Sequence, residues 1–325
     1  MSRQRTHPKQ SKVMSGLQAQ LERVSKFQDT IDPAASLATY ARVLRLLDAH
    51  LDELRAEVGL SASPQVLAGI RTRAVKKKYA TMPVPSERVF TYWDKPLDTA
   101  PPLVQACIAQ LRRVHPTLQV LDGASVRELI EIPDRIATLL EKDRPAHFSD
   151  YVRTRVLDEH GGIWVDATAW VQRNLHDDLQ RTYLRAGTIF PRWTGRAIAN
   201  WFIASQPGTP IIALQRRALD LWWQNNDDLP DYFVYHRIFE VIQAIVPEAR
   251  AQWRAAPLLS SAEAHLLQLE MMQPWRPDPL RSMLSHSPLQ KLSYKYDTVP
   301  AGSVLEHLIA GDGAQLGQSG LSQTS

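Results

Sequence analysis

Between Ala146 and Thr168 the chain reads Ala146-His-Phe-Ser-Asp-Tyr-Val-Arg-Thr-Arg-Val-Leu-Asp-Glu-His-Gly-Gly-Ile-Trp-Val-Asp-Ala-Thr168, a helix that stops on two glycines and passes at once into an apolar strand. Ser149 can cap a helix running from Asp150 to about His160, and Asp150 suits its positive first turn. Gly161-Gly162 can end it. Asp150 and Arg153, three residues apart, share one face. Ile163-Trp-Val165 has the character of a buried strand, and Asp166 stands where the chain leaves it. A carboxylate there can accept hydrogen bonds from sugar or ribose hydroxyls, or help hold a cation beside a diphosphate. Each feature also has a plain structural reading: a surface pair for Asp150 with Arg153, a simple helix stop for the glycines, a core aromatic for Trp164.

The preceding residues supply the rest of a layer. Arg88-Val-Phe-Thr-Tyr-Trp-Asp94 predicts a short buried strand leaving through Asp94-Lys-Pro96, Leu103 to Val114 a helix, Leu118-Gln-Val-Leu121 a second strand, and Ser125-Val-Arg-Glu128 a capping box opening another helix. Strand, helix, strand, helix points to an α/β fold with a largely parallel sheet. Ligands of such sheets bind near the carboxyl ends of strands, which singles out the loop from Trp93 to Lys95, although Trp93 also suits a core. With 325 residues, 44% of them hydrophobic, the chain can bury a sizeable core, and a wholly disordered chain is excluded.

Residues 1–15 read as a flexible polar tail and 16–85 as a helical N-terminal region. Leu37, Tyr40, Leu44, Leu47 and Leu51 recur at helical spacing. Such a stripe needs a partner, within an N-terminal helical subdomain or in self-association, and spacing leaves the oligomeric state open. Arg71, Arg73 and Lys76 to Lys78 form a basic cluster, read first as solvated surface and second as a contact for phosphate or anionic lipid. Lys and Arg number 38 against 34 Asp and Glu, a surplus of +4 that is too small and dispersed to argue nucleic acid. Cys107 is the single cysteine and forms no intrachain disulfide. The N-terminal residues are basic without the apolar core of a secretory signal, and Ala197 to Gln215 is broken by polar residues and prolines. The expectation is a cytoplasmic protein that could rest on the inner face of a membrane without crossing it.

The C-terminal half reads helical, with Ile211, Leu214, Ala218 and Leu221 on one face of a first helix and Val234 to Val246 forming another. His286 to Asp297 carries the hydroxyls and cations of a loop that could close near a phosphate, including Lys291 and Lys295. Gly311 to Ser325, rich in Gly and Ser, reads as mobile.

Ser149-Asp150-x-x-Arg153 followed by Gly161-Gly162-Ile163-Trp164-Val165-Asp166-Ala167-Thr168 resembles the capsular polysaccharide synthesis family of glycosyltransferases, which is related to the D-x-D sugar-binding-region enzymes such as initiating mannosyltransferases and clostridial glucosylating toxins. Asn200-Trp-Phe-Ile203, Asp231-Tyr-Phe233 with His236, and Lys291-Leu-Ser293 extend the resemblance over Arg88 to Asp297. It implies a GT-A-like, Rossmann-type nucleotide-sugar-binding domain over 86–300, with helical acceptor-side additions and a partly flexible segment at 301–325. Tyr92, Trp93, Ser149, Asp150, Arg153, Asp166, Thr168, His286 and Lys291 would be donor-binding, with Trp93 near the nucleobase, and Asp150, Arg153 and Asp166 catalytic. Asp231 and His236 would lie on the acceptor side. Asp166 would hold Mn²⁺ or Mg²⁺, but Thr168 puts a neutral hydroxyl at the second acidic place of D-x-D, which weakens that expectation.

The implied partners are a nucleotide-sugar donor and a glycan acceptor. Retention could use the leaving phosphate as base, whereas inversion would call on His236, Asp231 or Glu240. A phosphotransferase ranks low because no G-x-x-x-x-G-K-[ST] loop is present. A non-catalytic nucleotide- or glycan-binding module is the main alternative.

Overall fold

A computed structural model describes residues 33–60, 88–176, 179, 186–193 and 197–317. In chain order the strands are β1 (Val89–Tyr92), β2 (Leu118–Leu121), β3 (Gly162–Val165), β4 (Ala169–Val171), β5 (Thr188–Ile189), β6 (Pro191–Arg192), β7 (Phe202–Ser205), β8 (Leu259–Ser260) and β9 (Leu289–Lys291). The longer helices are α1 (Pro33–Ala49), α2 (Leu51–Glu57), α3 (Pro102–Val114), α4 (Pro145–His160), α5 (Pro210–Asn225), α6 (Val234–Ile245), α7 (Pro247–Ala255), α8 (Pro277–His286) and α9 (Val304–Ile309). The fold is mixed α/β, with a central sheet and flanking helices.

The central sheet has the order β2-β1-β3-β7-β5. β1 pairs parallel with both β2 and β3, as the strand-helix-strand order predicts. β7 runs against both its neighbours, so the sheet is mixed rather than uniformly parallel. The reason is the connection: β5 reaches β7 through residues 190–201, part of which form β6, and a parallel return needs a longer crossover.

Strand periodicity sorts the core into two faces. Phe90, Trp164 and Ile203 enter one cluster with residues of α4, α5 and α6, while Val89, Ile163, Val165, Phe202 and Ala204 enter another on the opposite face with Leu111 of α3. Every residue of β1, β3 and β7 is buried. Each large apolar side chain removed from water this way contributes roughly 1.5–3 kcal/mol.

The two glycines after α4 are required by close approach as well as by backbone sign. Gly161 has φ +63° and Gly162 φ +105°. A Cβ at Gly162 would stand 2.6 Å from the Arg88 carbonyl oxygen, and one at Gly161 2.6 Å from Pro207 Cδ. Gly162→Ala is expected to destabilise the fold by roughly 3 kcal/mol through strain and overlap together. Urea denaturation measures this, and a loss below about 1 kcal/mol would contradict the close-approach argument.

Helix boundaries depart from the sequence reading in two places. α4 begins at Pro145, so Ser149 lies inside it and is no cap; a proline at the first turn suits the helix start. Ser125 makes no cap bond to its short helix, Val126–Leu129; Asp122 Oδ1 instead accepts from the backbone N–H groups of Ala124 and Ser125 at 3.1 and 2.8 Å. Both are local polar competitions that residue spacing alone does not resolve.

The N-terminal stripe also turns differently. Thr39, Val43 and Leu47 form the buried row of α1, whereas Leu37 and Leu44 are exposed. α1 packs on α6 through polar bonds at its margin: Arg237 donates to Asp231, Ser36 and the Tyr40 hydroxyl, and Tyr40 donates to Glu240. α2 is clamped by Arg55, which donates to both carboxylate oxygens of Glu248 at 3.0 and 2.7 Å. These bonds rotate the helix away from the face its leucines alone would select.

Gly313 and Leu316 are buried in a 3-10 turn at Asp312–Gly317, with Gly313 against Trp170. The mobile C-terminus expected from Gly311 is therefore packed as far as Gly317. The polar tail, the basic cluster at Arg71 to Lys78 and the last eight residues lie outside the described residues. Among the described residues no helix is long and apolar enough to cross a membrane.

Candidate active site

The exit of β3 is built by three converging elements. α4 is locked to α5 by Tyr151, whose hydroxyl donates to Asp220 Oδ1 at 2.7 Å, and by Arg216, which donates to Asp158 at 2.5 Å. This fixes the face carrying Asp150 and Arg153. The β3–β7 ladder continues one step past Val165, where Asp166 N–H donates to Trp201 O at 2.9 Å, so Asn200 arrives beside α4. The backbone then turns, with Ala169 N–H donating to Asp166 O, and enters β4.

Side chains close the cluster. Arg153 Nη2 donates to Asp166 Oδ1 at 2.6 Å and Arg153 Nη1 donates to Asp150 Oδ1. Its guanidinium carbon lies 5.2 Å from the Trp164 ring centre, and Trp164 Nε1 donates to Asp166 Oδ1 at 3.0 Å. Asn200 Nδ2 donates to Asp150 Oδ1 at 2.8 Å. From the other side of the chain, Lys291 Nζ donates to Asp166 Oδ2 at 2.7 Å and to Thr168 Oγ1 at 2.8 Å.

Two carboxylates of similar depth are driven apart electrostatically. Burial pushes the Asp150 carboxyl up to about 6, against the pull of Arg153. Burial pushes Asp166 the same way, but Lys291 and Arg153 outweigh it and hold its carboxyl below the usual range. Asp166 is thus a fixed anion and Asp150 a titratable one.

The remaining expected residues fall into distinct settings. Trp93 packs beside Ala100, Val104, Ile108 and Ala167, and so next to the Asp166-Ala-Thr168 turn. It meets Tyr294 edge-on at 5.7 Å, and its Nε1 is buried without a partner among the described residues. Tyr92 is buried edge-on against Phe148. Ser149 sits within α4 one residue before Asp150. His286 is at the exposed end of α8, where its Nδ1 meets Ser282 O at 2.8 Å and the Ser285 hydroxyl at 3.2 Å; no bond joins it to the carboxylate cluster. Lys291 belongs to a paired strand and not to a closing loop, while Lys295 is exposed beyond it.

Of the residues read from the sequence as acceptor-side, Asp231 holds α1: it accepts from Arg237 at 2.8 Å and from Phe233 N–H at 2.8 Å. Glu240 is bonded to Tyr40. His236 is pushed down to about 3 by burial, with Arg153 and Arg237 adding to it, so its ring is neutral at physiological pH. Tyr232 and Tyr294 were not singled out by sequence reasoning. Tyr232 is exposed, packs edge-on to His147 at 5.2 Å, and feels the charges of Asp150 and Asp166. An aromatic next to Lys291-Leu-Ser293 was the available signal for Tyr294. A surface groove of about 610 Å³, lined by α3 residues such as Gln105 and Arg112 with Ile309, includes none of these side chains.

As they stand these residues do not fit a divalent ion. Asp166 offers both oxygens to N–H donors, Lys291 Nζ bridges Asp166 and Thr168, and among the described residues no three His, Cys, Asp or Glu side chains are grouped to share a metal.

A mixed α/β layer with a carboxylate and cation cluster at the mouth of its middle strand is the class of protein these observations define. Residues 68–308 match the family described as "Capsular polysaccharide synthesis protein", and the chain belongs to that family. The match extends at both ends beyond the 88–297 span of the motifs. No curated protein matches the chain. A solved structure described as "PaToxG Glycosyltransferase" is similar at 14% identity and a TM-score of 0.38, over 78% of this chain and 94% of that one.

Proposed function

We propose that this protein is a GT-A-type glycosyltransferase that moves a sugar from a nucleotide-sugar donor to a glycan acceptor in capsular or other surface polysaccharide synthesis. The family supports the setting. The observation that carries the chemistry is the convergence of Asp150, Arg153, Asp166 and Asn200 at the exit of β3.

In transfer, the bond between the sugar anomeric carbon and the donor phosphate oxygen breaks and its electron pair leaves with the nucleoside diphosphate. An acceptor oxygen bonds to the anomeric carbon, and its proton passes to the released phosphate or to a base. Positive charge grows on the sugar and negative charge on the leaving group. Ionised Asp150 and Asp166 suit the sugar hydroxyls and the developing cation, while Arg153 holds both carboxylates at fixed spacing. Trp93, with an N–H that has no partner among the described residues and an aromatic neighbour in Tyr294, suits the nucleobase. The Nδ1 of neutral His236 has no partner among the described residues.

Release of nucleotide from a panel of UDP-, GDP-, ADP- and dTDP-linked sugars tests this reading directly. Turnover of one donor supports it. Binding of nucleotide or glycan with no turnover across donors and acceptors would instead make the chain a binding module.

Asp150 adds a pH dependence. Its carboxylate form accepts hydroxyl hydrogen bonds, and burial places its titration at about 6. kcat/KM for the donor is therefore expected to fall as pH drops through about 6, and Asp150→Asn is expected to flatten that acid limb while lowering the plateau. An unchanged limb in the variant would remove Asp150 as its source.

A further inference from the structure

Three side chains donate to Asp166, and the one on Oδ2 is an ammonium. Lys291 Nζ lies 2.7 Å from Asp166 Oδ2 and 2.8 Å from Thr168 Oγ1, spanning the first and third side chains of the Asp166-Ala-Thr168 turn. We propose that the Lys291 ammonium is the resident cation of this site, so that the nucleoside diphosphate is bound and released without a divalent metal. The proposal rests on the glycosyltransferase reading above and specifies how that site meets the charge of its donor.

The lysine is delivered by backbone pairing over a separation of more than a hundred residues. β4 pairs antiparallel with β9, which sets Lys291 opposite Ala169, and Leu292 N–H donates to Thr168 O at 2.9 Å. Gln290, fully buried, pins β9 from within: its Oε1 accepts from Leu267 N–H at 2.9 Å, and its Nε2 donates to Glu263 O at 3.0 Å and Ser287 O at 2.9 Å. The stem of the lysine therefore starts from a rigid strand on the Thr168 side of the turn.

Charge and valence agree with this assignment. Asp150 and Asp166 face Arg153 and Lys291, two negative groups against two positive, so the cluster is balanced as it stands. Magnesium or manganese would need several oxygen ligands. Asp166 Oδ1 already accepts from Arg153 and Trp164, Thr168 contributes only a neutral hydroxyl, and a divalent ion on Oδ2 would stand against the ammonium. An ammonium has three N–H donors. Two are used here, the third has no partner among the described residues, and the side chain keeps 21% of its surface open. That third donor can meet a phosphate oxygen as the sugar bond breaks, without the lysine leaving Asp166.

The test is calorimetric titration of UDP, GDP, ADP and dTDP into the full chain, in EDTA and in Mn²⁺, with Mn²⁺ binding to the protein followed by its paramagnetic resonance signal. The nucleotide that binds is expected to do so with an affinity that changes less than about twofold between the two conditions, and Lys291→Ala is expected to weaken it about tenfold or more in both. Lys291→Arg, which keeps the charge, is expected to fall between them and serves as the reporter if the alanine variant does not fold. Nucleotide binding by the unaltered chain that vanishes in EDTA and returns with Mn²⁺ would overturn the assignment while leaving the glycosyltransferase reading intact, as would unchanged binding in Lys291→Ala. No binding of any of the four nucleotides in either condition would overturn the donor reading itself, and this proposal with it.

Discussion

Asp166→Asn is expected to lower sugar transfer by roughly a hundredfold to a thousandfold while leaving the fold in place. The substitution keeps the shape of the side chain and removes the charge on which Arg153, Trp164 and Lys291 converge. Arg153 and Lys291 would then face Asp150 alone, leaving one positive charge uncompensated at the mouth of β3, and Lys291 would lose the carboxylate that it bonds. Nucleotide release under saturating donor measures the effect, and circular dichroism checks the fold. Transfer within about tenfold of the unaltered chain would exclude Asp166 from the reacting centre.

Arg153→Ala is expected to be the most damaging substitution for stability, at roughly 3–5 kcal/mol. Its side chain is 3% exposed and is the group that separates two carboxylates. Removing it leaves Asp150 and Asp166 desolvated beside one another, with Asn200, Trp164 and Lys291 as their remaining polar support. The pH dependence follows from the sign of the shifts. Without Arg153 both carboxyls would titrate higher than they do in the unaltered folded protein, so the variant's folded state binds more protons and the loss shrinks as pH falls. Thermal melts of the variant at about pH 7 and about pH 5 should therefore lie further from the unaltered protein at the higher pH. Equal deficits at both would mean that lost packing against Trp164, and not unpaired charge, dominates. Arg153→Lys is not expected to rescue the site, because one ammonium cannot reproduce a fork that donates through separate nitrogens to two carboxylates.

Much of the strand and helix content was legible in the sequence. β1, β2 and β3 fall where short, largely apolar runs predicted them, and α3, α5 and α6 follow their stripes, with Ile211, Leu214 and Ala218 buried as spaced. Such segments are readable because burial on one or two faces imposes its own period on the residues. α1 was legible as a helix but not in its orientation. Leu37 and Leu44 look like core residues by type, yet the ion pair of Asp231 with Arg237 and the bonds to Ser36 and Tyr40 decide which face meets α6. The same bonds explain why Asp231 and Glu240, read as candidate bases, serve to hold a helix.

The amino-acid order by itself determined the local piece of the site: a helix carrying Asp150 and Arg153 on one face, a double glycine that no other residue could replace without strain, and a strand that leaves Asp166 at its end. These follow from backbone sterics and from periods of three to four and two residues, which act over a few positions. Tertiary structure alone decided what surrounds Asp166. Asn200 arrives through the β3–β7 register and Lys291 through the β4–β9 register, and a one-residue slip in either ladder would turn those side chains to the opposite face. No local rule links positions 166 and 291; only the packing of the whole layer brings an ammonium onto that carboxylate, because hydrogen-bonded strands pair by register in space and not by distance along the chain.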